Sequence, residues 1–140
     1  MPKTSVTDHL AAVPLFNACS KKELGLIAKA TTEMSFADGT ELVKQDESAR
    51  EAFIVTEGTV VVKRNDRTVA ELGPGSILGE LGLLDKGPRT ASVVAQGPVE
   101  ALVLGPREFA GLLDEVPSIS HKLLKAMAER IRELDTKAFG

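Results

Sequence analysis

The sequence has a single cysteine, Cys19, among 140 residues. One thiol excludes an intramolecular disulfide framework and a cysteine-based zinc site, and it suits a reducing compartment. Cys19 has no base beside it in the sequence and reads as a small buried residue rather than a nucleophile. Histidine is almost as scarce. His9 and His121 fall in separate segments with no partner motif, so the metal chemistry that some small barrels house has no ligand set here. No apolar run approaches the ~18–20 residues of a membrane span. The start, Met1-Pro2-Lys3-Thr4-Ser5-Val6-Thr7-Asp8, lacks the apolar stretch of a secretion signal. The expectation is a cytoplasmic chain with no membrane span. Positive charge is not in surplus either: 17 Lys and Arg face 20 Asp and Glu. At a pI of about 5.4, the basic face that direct nucleic-acid binding requires is missing. One small anion is a different case, because one or two local positive groups suffice for it.

What is present is enough for one real core. The chain is 43% hydrophobic and 26% charged, with a net charge of −3, which is the balance of an ordinary globular domain. Its length suits a single domain over residues 1–140, since domains most often run ~100–150 residues. Three stretches follow one another: helices over about 5–31, a β-rich region over about 32–104, and helices again over about 106–138.

In the first stretch, Thr7 or Asp8 can cap a short helix that Pro14 interrupts. Ser20-Lys21-Lys22-Glu23 has the form of a capping box, with Leu24, Ile27 and Ala28 on one face behind it. In the second, Glu33–Phe36, Glu41–Lys44, Ala52–Thr56, Thr59–Lys63, Arg67–Ala70, Ala91–Ala95 and Val99–Leu104 are short β-prone runs. Asp38-Gly39, Glu57-Gly58, Gly73-Pro74-Gly75 and Gln96-Gly97-Pro98 separate them. Asn65-Asp66 suits a two-residue hairpin turn, because both residues tolerate positive φ. Seven or eight strands at this spacing predict a barrel or jelly roll. In the third stretch, Pro106 and Pro117 each fit the first position of a helix. Ile119, Leu123, Met127, Ile131, Leu134 and Ala138 form a stripe on the second of these helices. The stripe is expected to pack against the barrel, with a dimer seam as the sharper alternative.

Chemistry concentrates between Gly73 and Ala95. A strand ends at glycines, and Glu80–Leu84 can make one helical turn. A Gly87-Pro88 bend follows, then Arg89, then a new strand. Gly79 and Gly82 let a ligand come close to the backbone. Amides that open a helical turn favour an anion. The planar fork of Arg89 can hold two oxygens of a phosphate. Glu80, acceptor-only when ionised, calls for a hydroxyl donor. An amide cradle, one arginine and one carboxylate describe a ligand with one phosphate charge and a free sugar hydroxyl.

Gly79-Glu80-Leu81-Gly82-Leu83 followed by Pro88-Arg89-Thr90-Ala91 resembles the phosphate-binding cassette of cyclic nucleotide-binding domains. Such domains are the sensors of protein kinase A regulatory subunits and of catabolite activator protein. Their pattern is Phe-Gly-Glu-Leu-Ala-Leu, a few variable residues, then Pro-Arg-Ala/Thr-Ala. The nine-residue step from Glu80 to Arg89 agrees with the kinase type. Gly39, Gly58 and Gly75 stand where the family's barrel turns carry glycine, and the order of helices and strands matches over nearly the whole chain. There are three departures. Leu78 stands in place of Phe, Asp46-Glu47 stands where the family often has Gly-Asp, and the last helix stops near Gly140.

The resemblance implies an α+β fold: an eight-stranded β-barrel or jelly roll with N-terminal helices, a short cassette helix and two C-terminal helices. It also implies roles. Arg89 would pair with the cyclic phosphate, and Glu80 would accept from the ribose 2′-hydroxyl. Backbone amides of Gly82 and of Thr90 or Ala91 would complete the cradle, with Gly79 and Leu81 in the same cassette. Thr90 is compatible with a guanine contact. The last helix would cover the base through Arg130 and Leu134, with Asp135 and Thr136 as weaker candidates. The expected ligand is cAMP or cGMP, cAMP ahead, with no cofactor and no chemistry done on the nucleotide. An effector protein of unknown kind, or a second copy through the last helix, would read the signal. The alternatives are a domain that kept the fold as a protein-interaction module, and the sensor fragment of a transcription regulator or ion channel.

Overall fold

The computed structural model describes residues 6–48, 51–79 and 88–139, the side chains of 130 and 134–139 excepted. Helix α1 (Val6–Ala11), a single 3-10 turn (Pro14–Phe16) and α2 (Lys21–Ala30) lead into the strands. These are β1 (Thr32–Phe36), β2 (Glu41–Val43), β3 (Ala52–Arg64), β4 (Arg67–Leu72), β5 (Ile77–Leu78) and β6 (Ser92–Leu104). Helices α3 (Pro106–Glu115) and α4 (Pro117–Phe139) follow.

The helix ends obey local chemistry. The Ser20 hydroxyl accepts from the Glu23 amide at 3.2 Å, and the Glu23 carboxylate accepts from the Ser20 amide at 2.7 Å. This reciprocal capping box satisfies two donors that the helix itself cannot. Pro106 and Pro117 each stand at the first residue of their helix.

The sheet is antiparallel, in the order β1-β6-β3-β4, with β2 also paired to β6 and β5 to β3. Six strands, not eight, pair among the described residues, and there the sheet is not closed into a barrel. The count falls because two expected breaks are kinks within continuous strands. β3 runs through Glu57-Gly58 and β6 runs through Gln96-Gly97-Pro98, with register shifts on either side of Glu57. Gly58 has φ +93°, and a Cβ placed there would lie 2.4 Å from the Pro98 carbonyl oxygen. The glycine lets β3 pass close under β6 at the bend, as a bulge does, rather than turning the chain. β5 was missed as a strand. It is only Ile77 and Leu78, bonded opposite Ile54 and Phe53. The expected helical turn at Glu80–Leu84 lies outside the described residues.

β3 is buried on both faces at its start, which explains the unbroken apolar run from Ala52 to Val55. Ala52 and Ile54, with Leu102 and Leu104 of β6, pack against Leu10, Val13, Phe16, Cys19, Leu24 and Ile27 from the N-terminal segment. Phe109, Leu112, Ile119 and Leu123 of α3 and α4 close the same core. Phe53 and Val55 point the other way, into a second core with Val43, Val60, Leu78, Val93, Ala95 and Val99. Leu78, standing where the family carries Phe, is buried in this second core.

Among its described residues, the α4 stripe packs only at its beginning. Ile119 and Leu123 are buried, Met127 is half-buried, and Ile131 is 67% exposed. At 1.5 Å per residue, a helix of 23 residues is ~35 Å long, against ~15 Å for the 10 residues of α3. Leu124, also 67% exposed, lies seven residues before Ile131.

Candidate functional site

Among the described residues, Arg89 is the buried cation of the β-rich half, only 7% exposed. A guanidinium can be placed so deep only if its N–H groups find acceptors. Its Nη1 donates to the Gly79 carbonyl at 3.0 Å and its Nη2 to the Glu51 carbonyl at 2.5 Å. One side chain thus ties the end of β5 to the residue that precedes β3. These two acceptors are backbone carbonyls, brought to the guanidinium from two separate segments.

Gly79 has φ +72°, and a Cβ there would lie 2.3 Å from Arg89 Nη1 and 3.1 Å from the Glu51 carbonyl oxygen. The first glycine of the cassette pattern is therefore required twice, by its backbone conformation and by the room the arginine occupies.

The backbone of Arg89 is gripped as firmly as its side chain. Its N–H donates to the Glu47 carbonyl and its carbonyl accepts from the Asp46 N–H, both at 2.8 Å. These bonds come from the turn Lys44–Glu47, in which Asp46 takes φ +72° and Glu47 N–H returns to the Lys44 carbonyl at 3.2 Å. Aspartate thus does what glycine often does at this place in the family, since a short polar side chain tolerates the left-handed region.

Of the site residues expected from the sequence, Gly79 and Arg89 meet directly. Thr90 is exposed, and its carbonyl accepts from Arg64 Nε at 3.2 Å. Ala91 is half-buried immediately before β6. Glu80, Leu81 and Gly82 lie outside the described residues, as do the side chains of Arg130, Leu134, Asp135 and Thr136. Glu51 was not singled out beforehand, because it acts through a backbone carbonyl that no residue type advertises. Gln45, Arg64 and Ser92 likewise went unnoticed as neighbours of the site.

A second polar cluster lies between α2 and α4. The Glu23 carboxylate, nearly buried, accepts from the Ser118 hydroxyl and from Lys122 Nζ as well as from the Ser20 amide. The Lys122 ammonium first, then Ser118 and Ser20, hold its pKa at about 2, well below the ordinary 4.5. Burial raises the Cys19 thiol above its usual value, and the Glu23 charge adds to that. No group of three or more His, Cys, Asp or Glu is placed to hold a metal ion among the described residues. No described helix is long and apolar enough to cross a membrane.

The described residues thus join a kinked antiparallel sheet, flanking helices and a buried arginine behind a glycine elbow. The family model of the cyclic nucleotide-binding domain matches residues 33–116, and the chain belongs to that family. It is 32% identical over 127 residues to the "Cyclic AMP receptor protein" of Thermus thermophilus, covering 87% of this chain and 59% of that protein. It is 35% identical over 114 residues to the "cAMP-dependent protein kinase regulatory subunit" of Mucor circinelloides, covering 79% of this chain and 27% of the relative. Among solved structures, the N-terminal domain of a transcriptional regulator from Streptomyces coelicolor superposes with a TM-score of 0.85 at 32% identity. That match covers 92% of this chain and 96% of the other. The chain therefore spans nearly all of that N-terminal domain but less than two thirds of each of the two longer relatives.

Proposed function

We propose that the chain binds cAMP as a regulatory sensor and does no chemistry on it. The observation that carries this reading is Arg89, buried with its fork held to the Gly79 and Glu51 carbonyls at the edge of the cassette. A cyclic phosphate offers the fork two charged oxygens, and charge-assisted bonds of this kind are roughly twice as strong as neutral ones. Thr90 and Ala91 add backbone amides next to the arginine. Glu80 takes the ribose 2′-hydroxyl, and Gly82 supplies a further amide. Base coverage falls to α4, through Arg130 and Leu134.

The choice of cAMP over cGMP is supported by the names of the two relatives, one a cyclic AMP receptor and one a cAMP-dependent kinase subunit. The exposed Thr90 keeps cGMP as the competitor. Binding acts as a population shift: the ligand favours the state in which cassette and α4 close over it, and only by its differential affinity for the two states. The state is passed to an effector protein or to a second copy. The exposed Leu124 and Ile131, one heptad apart on α4, support a homodimer through that helix.

The test is calorimetric titration of the folded, nucleotide-free protein with cAMP and then cGMP. Saturable binding at micromolar concentration or below, tighter for cAMP, is expected. No heat with either nucleotide overturns the reading in favour of a protein-interaction module.

A further inference from the structure

Three segments that are distant in sequence are sewn together beside Arg89: the turn Lys44–Glu47, the hairpin tip at Asn65, and the stretch from Arg89 to Ser92. Gln45 is the stitch. Its side-chain Nε2 donates to Asn65 Oδ1, and its Oε1 accepts from the Asn65 amide, both at 2.9 Å. Its own amide donates to the Ser92 hydroxyl at 2.9 Å. Residue 65 presents itself this way because Asn65 and Asp66 both take positive φ, 51° and 63°, in the two-residue turn between β3 and β4.

The consequence runs through the backbone. Fixing Gln45 to both the hairpin tip and β6 fixes the turn that holds Asp46 and Glu47. Those two residues bond both backbone groups of Arg89 at 2.8 Å. From the same hairpin, Arg64 Nε reaches the Thr90 carbonyl at 3.2 Å. The peptide units that flank Arg89 are thereby held by bonds separate from those that hold its guanidinium. A side chain on a fixed backbone can exchange carbonyl acceptors for phosphate oxygens without moving the neighbouring amides. A site whose donors are placed beforehand loses less free energy to ordering when the ligand arrives.

The geometry points to Gln45, with Asn65 as its partner, as a positioning residue that preorganises the Arg89–Thr90 backbone for phosphate recognition. This rests on the cyclic-nucleotide reading. Its test therefore has one arm without ligand. In the ligand-free protein, Gln45→Ala is expected to speed hydrogen exchange at the Asp46 and Arg89 amides while leaving the β1–β6 amides unchanged. With ligand, cAMP affinity is expected to fall about three- to tenfold, the scale of one net hydrogen bond. Preference between the two phosphorothioate diastereomers of cAMP, which differ in the oxygen replaced by sulfur, should narrow. Asn65→Asp keeps the acceptor and the turn and should behave as wild type. Asn65→Gly keeps the turn and loses only the acceptor, and should show the Gln45→Ala effects in lesser degree.

Unchanged exchange at Arg89 in both Gln45→Ala and Asn65→Gly overturns the inference, whatever happens to binding. So does a lowered Tm with diastereomer preference intact. Wild-type protein that ignores both cyclic nucleotides overturns the underlying reading and the role in recognition with it. The exchange arm then tells separately whether the stitch holds the Arg89 backbone.

Discussion

Arg89 occupies the space that a side chain at Gly79 would fill. Its Nη1 donates to the Gly79 carbonyl, and it stands 2.3 Å from where a Cβ on that residue would be built. The glycine's φ of +72° adds a backbone demand to this steric one. Gly79→Ala is therefore expected to cost about 1–2 kcal/mol of stability from the left-handed conformation alone. It should also push the guanidinium off its carbonyls and weaken cAMP binding at least tenfold. Thermal denaturation and calorimetric titration check the two parts. Binding that survives unchanged would show that the Gly79–Arg89 contact plays no part in recognition.

Arg89 can be tested by removing the fork and by changing its shape. Arg89→Ala leaves the Gly79 and Glu51 carbonyls without that donor, a cost of about 1–3 kcal/mol where they stay buried, and circular dichroism should still report a folded domain. Losing a hydrogen-bonded charge at a phosphate costs about 2–5 kcal/mol of binding, so cAMP affinity should fall below easy detection. Arg89→Lys keeps the charge but cannot donate to two oxygens in one plane, and should bind with intermediate affinity. Wild-type affinity in Arg89→Ala would remove Arg89 from the site.

Much of this was legible beforehand where one residue type has one local use. Ser20 with Glu23, Pro106, Pro117 and the Asn65-Asp66 pair each marked an element end that the structure has. Gly79 and Arg89 were marked by the spacing of the cassette pattern. The strand count was not legible. Glu57-Gly58 and Gln96-Gly97-Pro98 look the same in sequence whether the chain turns or merely kinks, and only the partner strand decides. β5 is too short to show periodicity, and its existence depends on Phe53 and Ile54 opposite. The Glu51 carbonyl and the Gln45–Asn65 pair were invisible for a further reason: their value lies in meetings across 38 and 20 residues of chain, which no local pattern encodes.

Glu80 carries the prediction that separates a ribonucleotide sensor from a general phosphate site. A carboxylate that accepts from the 2′-hydroxyl loses that bond with a 2′-deoxynucleotide and is left facing no donor. A site built for a hydroxyl rejects the analogue that lacks one more strongly than the bond alone would suggest. Glu80→Ala is expected to weaken cAMP binding about tenfold or more and to shrink the preference for cAMP over 2′-deoxy-cAMP toward unity. Competition with a fluorescent cyclic nucleotide reads both quantities. A preference that stays at the wild-type ratio would take the ribose role away from Glu80.

The pH dependence of stability should carry a signature of Glu23. Lys122, Ser118 and Ser20 hold its folded pKa at about 2 against an ordinary 4.5. The folded state thus binds this proton less readily than the unfolded chain does. The stabilisation is fully present above about pH 4.5 and is lost as the pH falls toward about 2. Glu23→Gln removes the charge that Lys122 and the Ser20 cap face. It should cost about 1–2 kcal/mol at neutral pH and lose less on acidification between those limits. The comparison is of denaturant midpoints for the two proteins across the window, in which the remaining carboxylates cancel. Parallel curves would mean that the Glu23 bonds add nothing in solution. A steeper wild-type curve would mean more than a surface ion pair. Glu23 both caps α2 and holds Ser118 and Lys122 in the first turns of α4, so its protonation loosens the start of one helix and the mooring of the other together.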